Sequence, residues 1–441
     1  MAECLTLDNC SILTVDEKDT VYPQGRIVVE GDRIARLGSG DQVEARGEIL
    51  DMGGALAMPG LVNTHTHSHS SIFRGLGDDL PLMDWLQKAM WPLEKFLTRE
   101  SMYHAARLSC LEYIHSGITT YADQIYFADA AARAARESGL RCFLAATVFQ
   151  GPSPETDDTF RAACAFIEQW RGGEKETRVY PCIGPHAPYS VDEDLFRRIR
   201  ALAEKYGLLI HTHISETADE NNIIMKKTGL SPVRWLESLG IFELPVLAAH
   251  SIHLDEADLS VYERCGAAVS YNPVSNLKLV SGIMPLAAMR RRGITVGIGT
   301  DGAQSNNSMD LLRDLRTGVL IQKQKNGDAA FFNAREAVRM ATIDGARALR
   351  IDGETGSLRA GKKADIIFLD PAGPRLVPLH PSRSARLYST VCYAASGGDV
   401  RDVMVEGRWV MRDRRAVNLC EEEIREAAQR ASEHLMRQAG L

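Results

Sequence analysis

The pair His65 and His67 closes an apolar run that starts at Met58-Pro59-Gly60-Leu61-Val62-Asn63. Side chains two apart on a strand face the same way, so both imidazoles can turn toward one ion. A lone H-x-H is a weak signal, because such pairs also occur as satisfied polar residues. Three more strand-like runs end in residues that a metal accepts: Leu208-Leu209-Ile210-His211-Thr212-His213 with Glu216 beyond it, Pro245-Val246-Leu247-Ala248-Ala249-His250, and Thr295-Val296-Gly297-Ile298-Gly299-Thr300-Asp301. Histidines and carboxylates at the carboxyl ends of separate strands are how a (β/α)8 barrel gathers a site on one face. Imidazoles joined by a carboxylate suit a divalent ion such as zinc or ferrous iron. An ion with an open position lowers the pKa of a bound water and supplies hydroxide near neutral pH.

Strands must carry these residues, and the sequence offers eight between about 58 and 360: 57–67, 118–123, 141–148, 179–186, 208–214, 245–251, 267–272 and 295–301. They alternate with helical patterns, the sequence form of a closed parallel sheet, and eight strands close a TIM-like barrel. Outside it, 25–37 alternates around Gly31-Asp32 as a hairpin, and 403–411 does so near the other end, after the strand 364–370. The expected organisation is therefore 1–57 and 361–441 as two parts of a small β-sandwich domain, enclosing a catalytic barrel at 58–360. The stretch 68–94 is too long for an ordinary connection and reads as a functional loop, a substrate lid carrying Trp85 and Glu94. From 413 onward, glutamates among alanines suggest a solvated terminal helix.

Composition narrows the function classes. A net charge of −7 gives no electrostatic basis for binding nucleic acid or membrane, so a small-molecule partner is expected. The nine cysteines stand singly with no C-x-x-C, which argues against a zinc knuckle or a disulfide framework. The N-terminus lacks a charged region followed by an apolar stretch, and no apolar run reaches about 18 residues. A cytoplasmic enzyme is expected. The cytidine-deaminase pattern is absent, because Pro181-Cys182 has no second cysteine at the required spacing.

The motifs P-G-L-V-N-T-H-T-H at 59–67, R-G-L-G-D-D-L-P-L-M-D-W-L at 74–86, W-P-L-E at 91–94, G-P-H-A-P-Y-S at 184–190, H-I-S-E-T at 213–217, S-N-L-K-L at 275–279 and G-T-D-G at 299–302 resemble the amidohydrolase superfamily. Within it, the chain is similar to the branch of deaminases acting on 5′-methylthioadenosine and S-adenosylhomocysteine. The resemblance implies one divalent ion per subunit, zinc with ferrous iron as the alternative, held by His65, His67, His213 and Asp301. His213 is preferred to His211 because it precedes the S-E-T run. A two-metal relative would use a lysine on the fourth strand, and 179–187 contains none. The resemblance further implies that Glu216 carries a proton to the ring nitrogen, that Asp301 relays the water proton to the departing ammonia, and that His250 hydrogen-bonds the reacting oxygen. Trp85 would pack on the ligand, Glu94 would bond ribose hydroxyls, and His186 would also touch substrate. His69 reads as lid or ligand support, and a homo-oligomer is possible.

Each residue taken singly has a plainer use: Asp301 could cap a turn, His250 could be a core histidine, and Glu216 could solvate a helix start. The implied activity is hydrolytic removal of the 6-amino group from an adenosine derivative. The end of the third strand, Thr147-Val148-Phe149-Gln150-Gly151-Pro152, offers no cation for an amino-acid carboxylate. Methylthioadenosine therefore ranks first, adenosine and 5′-deoxyadenosine next, and S-adenosylhomocysteine behind them, with Arg74 the one cation considered for it. The rivals are a guanine-type or cytosine deaminase, a triazine hydrolase, or a non-catalytic scaffold of the same fold. Glu94 discriminates among the enzymes, since a bare base or triazine has no ribose to hold.

Overall fold

The computed structural model describes residues 4–80, 82–151, 153 and 155–440. Pro81 in the lid motif, Pro152 at the end of the third strand and the first three residues, all used in the sequence reading, lie outside the described residues. Packing divides the chain into two compact units, Met1–Asn63, Leu111–Thr120 and Asp310–Leu419 in one, Thr64–Cys110, Tyr121–Met309 and Cys420–Leu441 in the other.

Eight parallel strands form the barrel: Leu61–His67, Ile118–Ile125, Arg141–Val148, Val179–Pro185, Ile210–Ile214, Val246–His250, Ala268–Tyr271 and Val296–Ile298. Each pairs with the next, and the last returns to the first, closing the sheet. Beyond the eighth strand, Asp301 and Gly302 pair with Thr66 and His67, which brings the carboxylate alongside the H-x-H pair. The second, third, fifth and sixth strands are buried at every position. The third and sixth stand out in the sequence as largely apolar runs, as strands covered on both faces do, whereas the second and fifth bury polar residues too, Thr119, Thr120, Asp123 and Gln124 in one and His211, Thr212 and His213 in the other. The intervening helices carry equally clear punctuation: Asp192 accepts the Leu195 N–H at 2.9 Å, and that helix ends at Gly207 with φ +64°.

The first run, expected as one strand over 57–67, is two strands, Leu56–Pro59 and Leu61–His67. They separate at Gly60, where any Cβ would collide with the Thr119 side chain. Leu56–Pro59 joins a nine-stranded sheet built from both chain ends, in the order Arg415–Ala416, Arg408–Arg412, Val400–Val405, Ile366–Leu369, Leu56–Pro59, Cys4–Leu13, Val21–Glu30 and Arg33–Ser39, with Glu48–Asp51 paired to Cys4–Leu13. Both expected hairpins are present, and the second turns at Glu406 and Gly407, each with positive φ, as a two-residue hairpin loop requires.

The stretch 68–94 departs from the expectation of a loop. It contains a 3₁₀ turn at Ser68–Phe73 and a helical run made of Leu82–Trp85, a π-type segment Leu86–Met90 and Trp91–Glu94. Glycine and aspartate at 75–79 punctuate only its first half. Trp85, Met90 and Leu279 form a small apolar cluster that seats the helical part. The terminal helix, Glu421–Ala439, is less solvated than expected: it buries Ile424, Ala427, Ala428 and Leu435, and Ser432 Oγ donates to the Ile72 carbonyl at 2.7 Å. All nine cysteines are free thiols, and among the described residues no helix is long and apolar enough to cross a membrane.

Gly60→Ala is expected to cost about 1–3 kcal/mol of stability by overpacking, read as a lower denaturation midpoint. Adding Thr119→Ala should recover part of the loss. An unchanged midpoint for Gly60→Ala would contradict this packing.

Candidate active site

The ends of the barrel strands share an unusual backbone feature. Ser215, His250, Ser251 and Asp301 have φ of +52°, +71°, +51° and +59°. Such left-handed residues other than glycine each cost on the order of 1 kcal/mol, and they collect where a side chain must be aimed. Here they turn the chain sharply at the three strand ends that carry Glu216, His250 and Asp301.

Four donor atoms converge. Asp301 Oδ1 lies 3.3 Å from His65 Nε2 and 3.4 Å from His67 Nε2, and His67 Nε2 lies 3.3 Å from His213 Nε2. Zinc binds nitrogen and oxygen at about 2.0–2.1 Å, and donors on a tetrahedron of that radius stand roughly 3.3 Å apart. These three spacings suit a small ion, and the possible ligand atoms fall into two overlapping groups, His65, His67 and His213 in one and His65, His250 and Asp301 in the other. The protonation pattern fits as well. His67 Nδ1 faces the Gln124 carbonyl at 2.8 Å and His213 Nδ1 faces the His186 carbonyl at 2.7 Å. A carbonyl can only accept, so each Nδ1 carries the hydrogen and each Nε2 offers its lone pair. His65 Nδ1 meets His211 Nε2 at 2.8 Å; His211 thus lies behind His65, one layer deeper than His213.

Burial keeps the imidazoles neutral, which is the ligand form. It pushes His67 down to about 3 and His186 down to about 4, and it holds His65 below and His211 and His213 well below the usual range. Burial would raise Asp301, but the His65, His250 and His67 rings that face it hold its carboxyl well below the usual range. Its second oxygen accepts from Ser275 Oγ at 2.5 Å and Ser305 Oγ at 3.1 Å. Glu216 behaves oppositely: burial, then the charge of Asp301, push it up to about 8 against a 3.3 Å hydrogen bond from Ser281. One carboxylate is thus set as a base and the other as an acid, a pairing suited to moving protons in opposite directions.

His67, His213 and Asp301 line a cavity together with Trp85, Glu94, His186, Glu216 and His250. The structure therefore brings every expected substrate residue to the same cavity as three of the expected metal ligands. His250 Nε2 stands 3.9 Å from Glu216 Oε2. His69 Nε2 approaches Glu94 Oε1 at 3.6 Å, and His253 donates to the Ser281 carbonyl at 2.7 Å. An adjoining cavity of about 530 Å³ shares Trp91, Glu94, Tyr126, His186 and Tyr189 with the first and adds Phe149 and Lys95. Arg74 instead bonds the Asn307 carbonyl at 2.8 Å. The cation that lines the outer cavity is Lys95, which the sequence reading passed over. It also passed over Glu220, whose carboxylate accepts the N–H groups of Ser215 at 2.8 Å and Glu216 at 2.9 Å. The signal for it was present in Thr217-x-x-Glu220, a capping-box spacing.

Residues 56–410 match the amidohydrolase family. The chain belongs to that family. It is 38% identical over 435 residues to the 5-methylthioadenosine/S-adenosylhomocysteine deaminase of Pelotomaculum thermopropionicum, covering 98% of this chain and 99% of the relative. It is 37% identical over 433 residues to the 5′-deoxyadenosine deaminase of Methanosarcina mazei, covering 98% of each. Among solved structures, an adenosine deaminase from Xanthomonas campestris with bound zinc superposes with a TM-score of 0.93 at 29% identity, over 98% of both chains.

The buried acid predicts a pH signature for this amidohydrolase in chelator. The folded-state pKa of Glu216 is raised from 4.5 to about 8, so the stability that its protonated form contributes is complete below pH 4.5 and is lost as pH rises toward 8. The Tm of Glu216→Gln should therefore climb relative to the parent over that window, by roughly 2 °C or more. A constant difference across the window would contradict the assignment.

Proposed function

We propose that this amidohydrolase hydrolyses the 6-amino group of adenosine derivatives, releasing ammonia and the inosine form. His65, His67, His213 and Asp301 would hold one divalent ion, zinc before ferrous iron. When bound, such an ion acidifies a water and so supplies a nucleophile near neutral pH. The remaining work falls to the chain. Glu216, held protonated by burial, donates its proton to the ring nitrogen beside the reacting carbon, which raises the electrophilicity of that carbon. Asp301 takes one proton released by the attacking water and passes it to the departing amine, and the proton left on the new oxygen returns to Glu216 as the carbonyl forms. His250 hydrogen-bonds the oxygen that the carbon acquires. Trp85 packs on the base, and His186 contacts the nucleoside.

The observation that carries the nucleoside reading is Glu94. It lines the cavity that holds the metal cluster and also the outer cavity, where a carboxylate can accept both hydroxyls of a ribose. A bare base or a triazine has no use for it. The aromatic residues of the outer cavity favour a neutral, apolar 5′ group, so the proposed order is methylthioadenosine, then adenosine and 5′-deoxyadenosine, then S-adenosylhomocysteine. Lys95 is the residue through which the last would gain. A homo-oligomer and a cytoplasmic setting belong to the same proposal.

The test is ammonia release by the zinc-loaded protein from these nucleosides, guanine, cytosine and a chlorotriazine, with Glu94→Ala alongside. Nucleoside turnover should dominate, and Glu94→Ala should lower kcat/KM by about 10²-fold, as loss of a charged hydrogen bond to substrate requires. Lys95→Ala should weaken S-adenosylhomocysteine alone. Turnover of a base or triazine only, indifferent to Glu94, would sink the substrate assignment.

A further inference from the structure

His250 is surrounded differently from the three histidines of the metal cluster. Where His67 and His213 turn Nδ1 to a carbonyl, His250 Nδ1 meets two side-chain amides: Asn276 Nδ2 at 2.7 Å and Asn272 Nδ2 at 3.4 Å. Asn272 sits at the end of a buried chain of hydroxyls. Its Oδ1 accepts from Ser270 Oγ at 3.0 Å, and Ser270 Oγ lies 2.6 Å from Thr64 Oγ1. With Asn272 in this orientation its Oδ1 accepts from Ser270, which leaves Thr64 to donate to Ser270. The NH₂ of Asn272 is thereby left facing His250. Gly299 makes room for this chain, since a Cβ there would lie 2.5 Å from Asn272 Oδ1 and 2.7 Å from Ser270 Oγ.

An NH₂ group donates and cannot accept. His250 Nδ1 must therefore present its lone pair, and the hydrogen of the neutral ring sits on Nε2. That atom points into the site: His250 groups with His65 and Asp301 as closely as a metal ligand would. With a hydrogen on Nε2 it has no lone pair to give. We infer that Asn272 and Asn276 are positioning residues that hold His250 as its Nε2–H tautomer, keep it off the metal and commit it to donating a hydrogen bond to the oxygen at the reacting carbon. One barrel face thus sorts chemically identical side chains into ligands and a donor by what each Nδ1 touches. The tautomer rests on both amides presenting their NH₂ groups to His250 Nδ1, while the catalytic consequence rests on the deaminase reading.

The tautomer can be read directly by long-range ¹H–¹⁵N correlation on the zinc-loaded, ¹⁵N-histidine-labelled protein, with His250→Gln assigning the signal. The expected spectrum has the hydrogen on Nε2 and none on Nδ1. Asn276→Asp replaces a donor by an acceptor of the same shape and should move the hydrogen to Nδ1. With methylthioadenosine, kcat should then fall about tenfold or more while KM and bound zinc stay within about twofold. A parent spectrum with the hydrogen on Nδ1 would overturn the inference, whatever the substrate proves to be. So would an Asn276→Asp protein with unchanged tautomer and kcat. If no adenosine derivative is turned over, the deaminase reading fails and the spectrum still decides the tautomer.

Discussion

Three imidazole lone pairs and a carboxylate oxygen crowd to within 3.3–3.4 Å of their neighbours inside the barrel, and much of the site answers to the problem this creates. Buried polar atoms without compensation are costly. Protonating the imidazoles would pair them with Asp301 but would strand several like charges in a low-dielectric interior, so desolvation keeps them neutral. Neutral imidazoles with inward lone pairs beside an anionic carboxylate are electrostatically incomplete without a cation. Burial protonates Glu216 while the histidines around Asp301 keep it ionised, so the same strand ends separate an acid from a base.

Geometry at that scale must be held by neighbours. Gln124 and His186 present carbonyls that orient His67 and His213, His211 backs His65, and Ser275 and Ser305 hold the outer oxygen of Asp301. Glu220 ties down the N–H groups of Ser215 and Glu216 where the backbone turns left-handed. These partners come from different strand ends and the segments beyond them, so the closed sheet lets each loop fix a residue carried by its neighbour. Stability contributed by the buried strands offsets the local strain at the mouth.

The first layer of this site could be read in the sequence because two regularities meet there. Buried parallel strands make largely apolar runs, and His67, His213 and His250 are the polar residues at which three of those runs end. What sequence could not supply was depth. His211 and His213 share a strand face, and only the folded barrel shows that the former lies a layer below. Asn272, Asn276 and Glu220 escaped for a related reason: an amide or carboxylate in a loop acquires meaning from the atom opposite it. The helical part of 82–94 was obscured by the turn-forming residues before it and by a π-type segment. Lys95 was missed because the search for a cation followed the third strand, whereas the outer cavity also draws on the segment after Glu94.

The measurement closest to the centre of this account is metal content with X-ray absorption on zinc-reconstituted protein. It predicts one zinc per chain, surrounded by nitrogen and oxygen donors at about 2.0–2.2 Å, with the ion lost in His213→Ala and Asp301→Ala and retained in His211→Ala. No stoichiometric metal, two metals per chain, or an ion indifferent to Asp301 would contradict it.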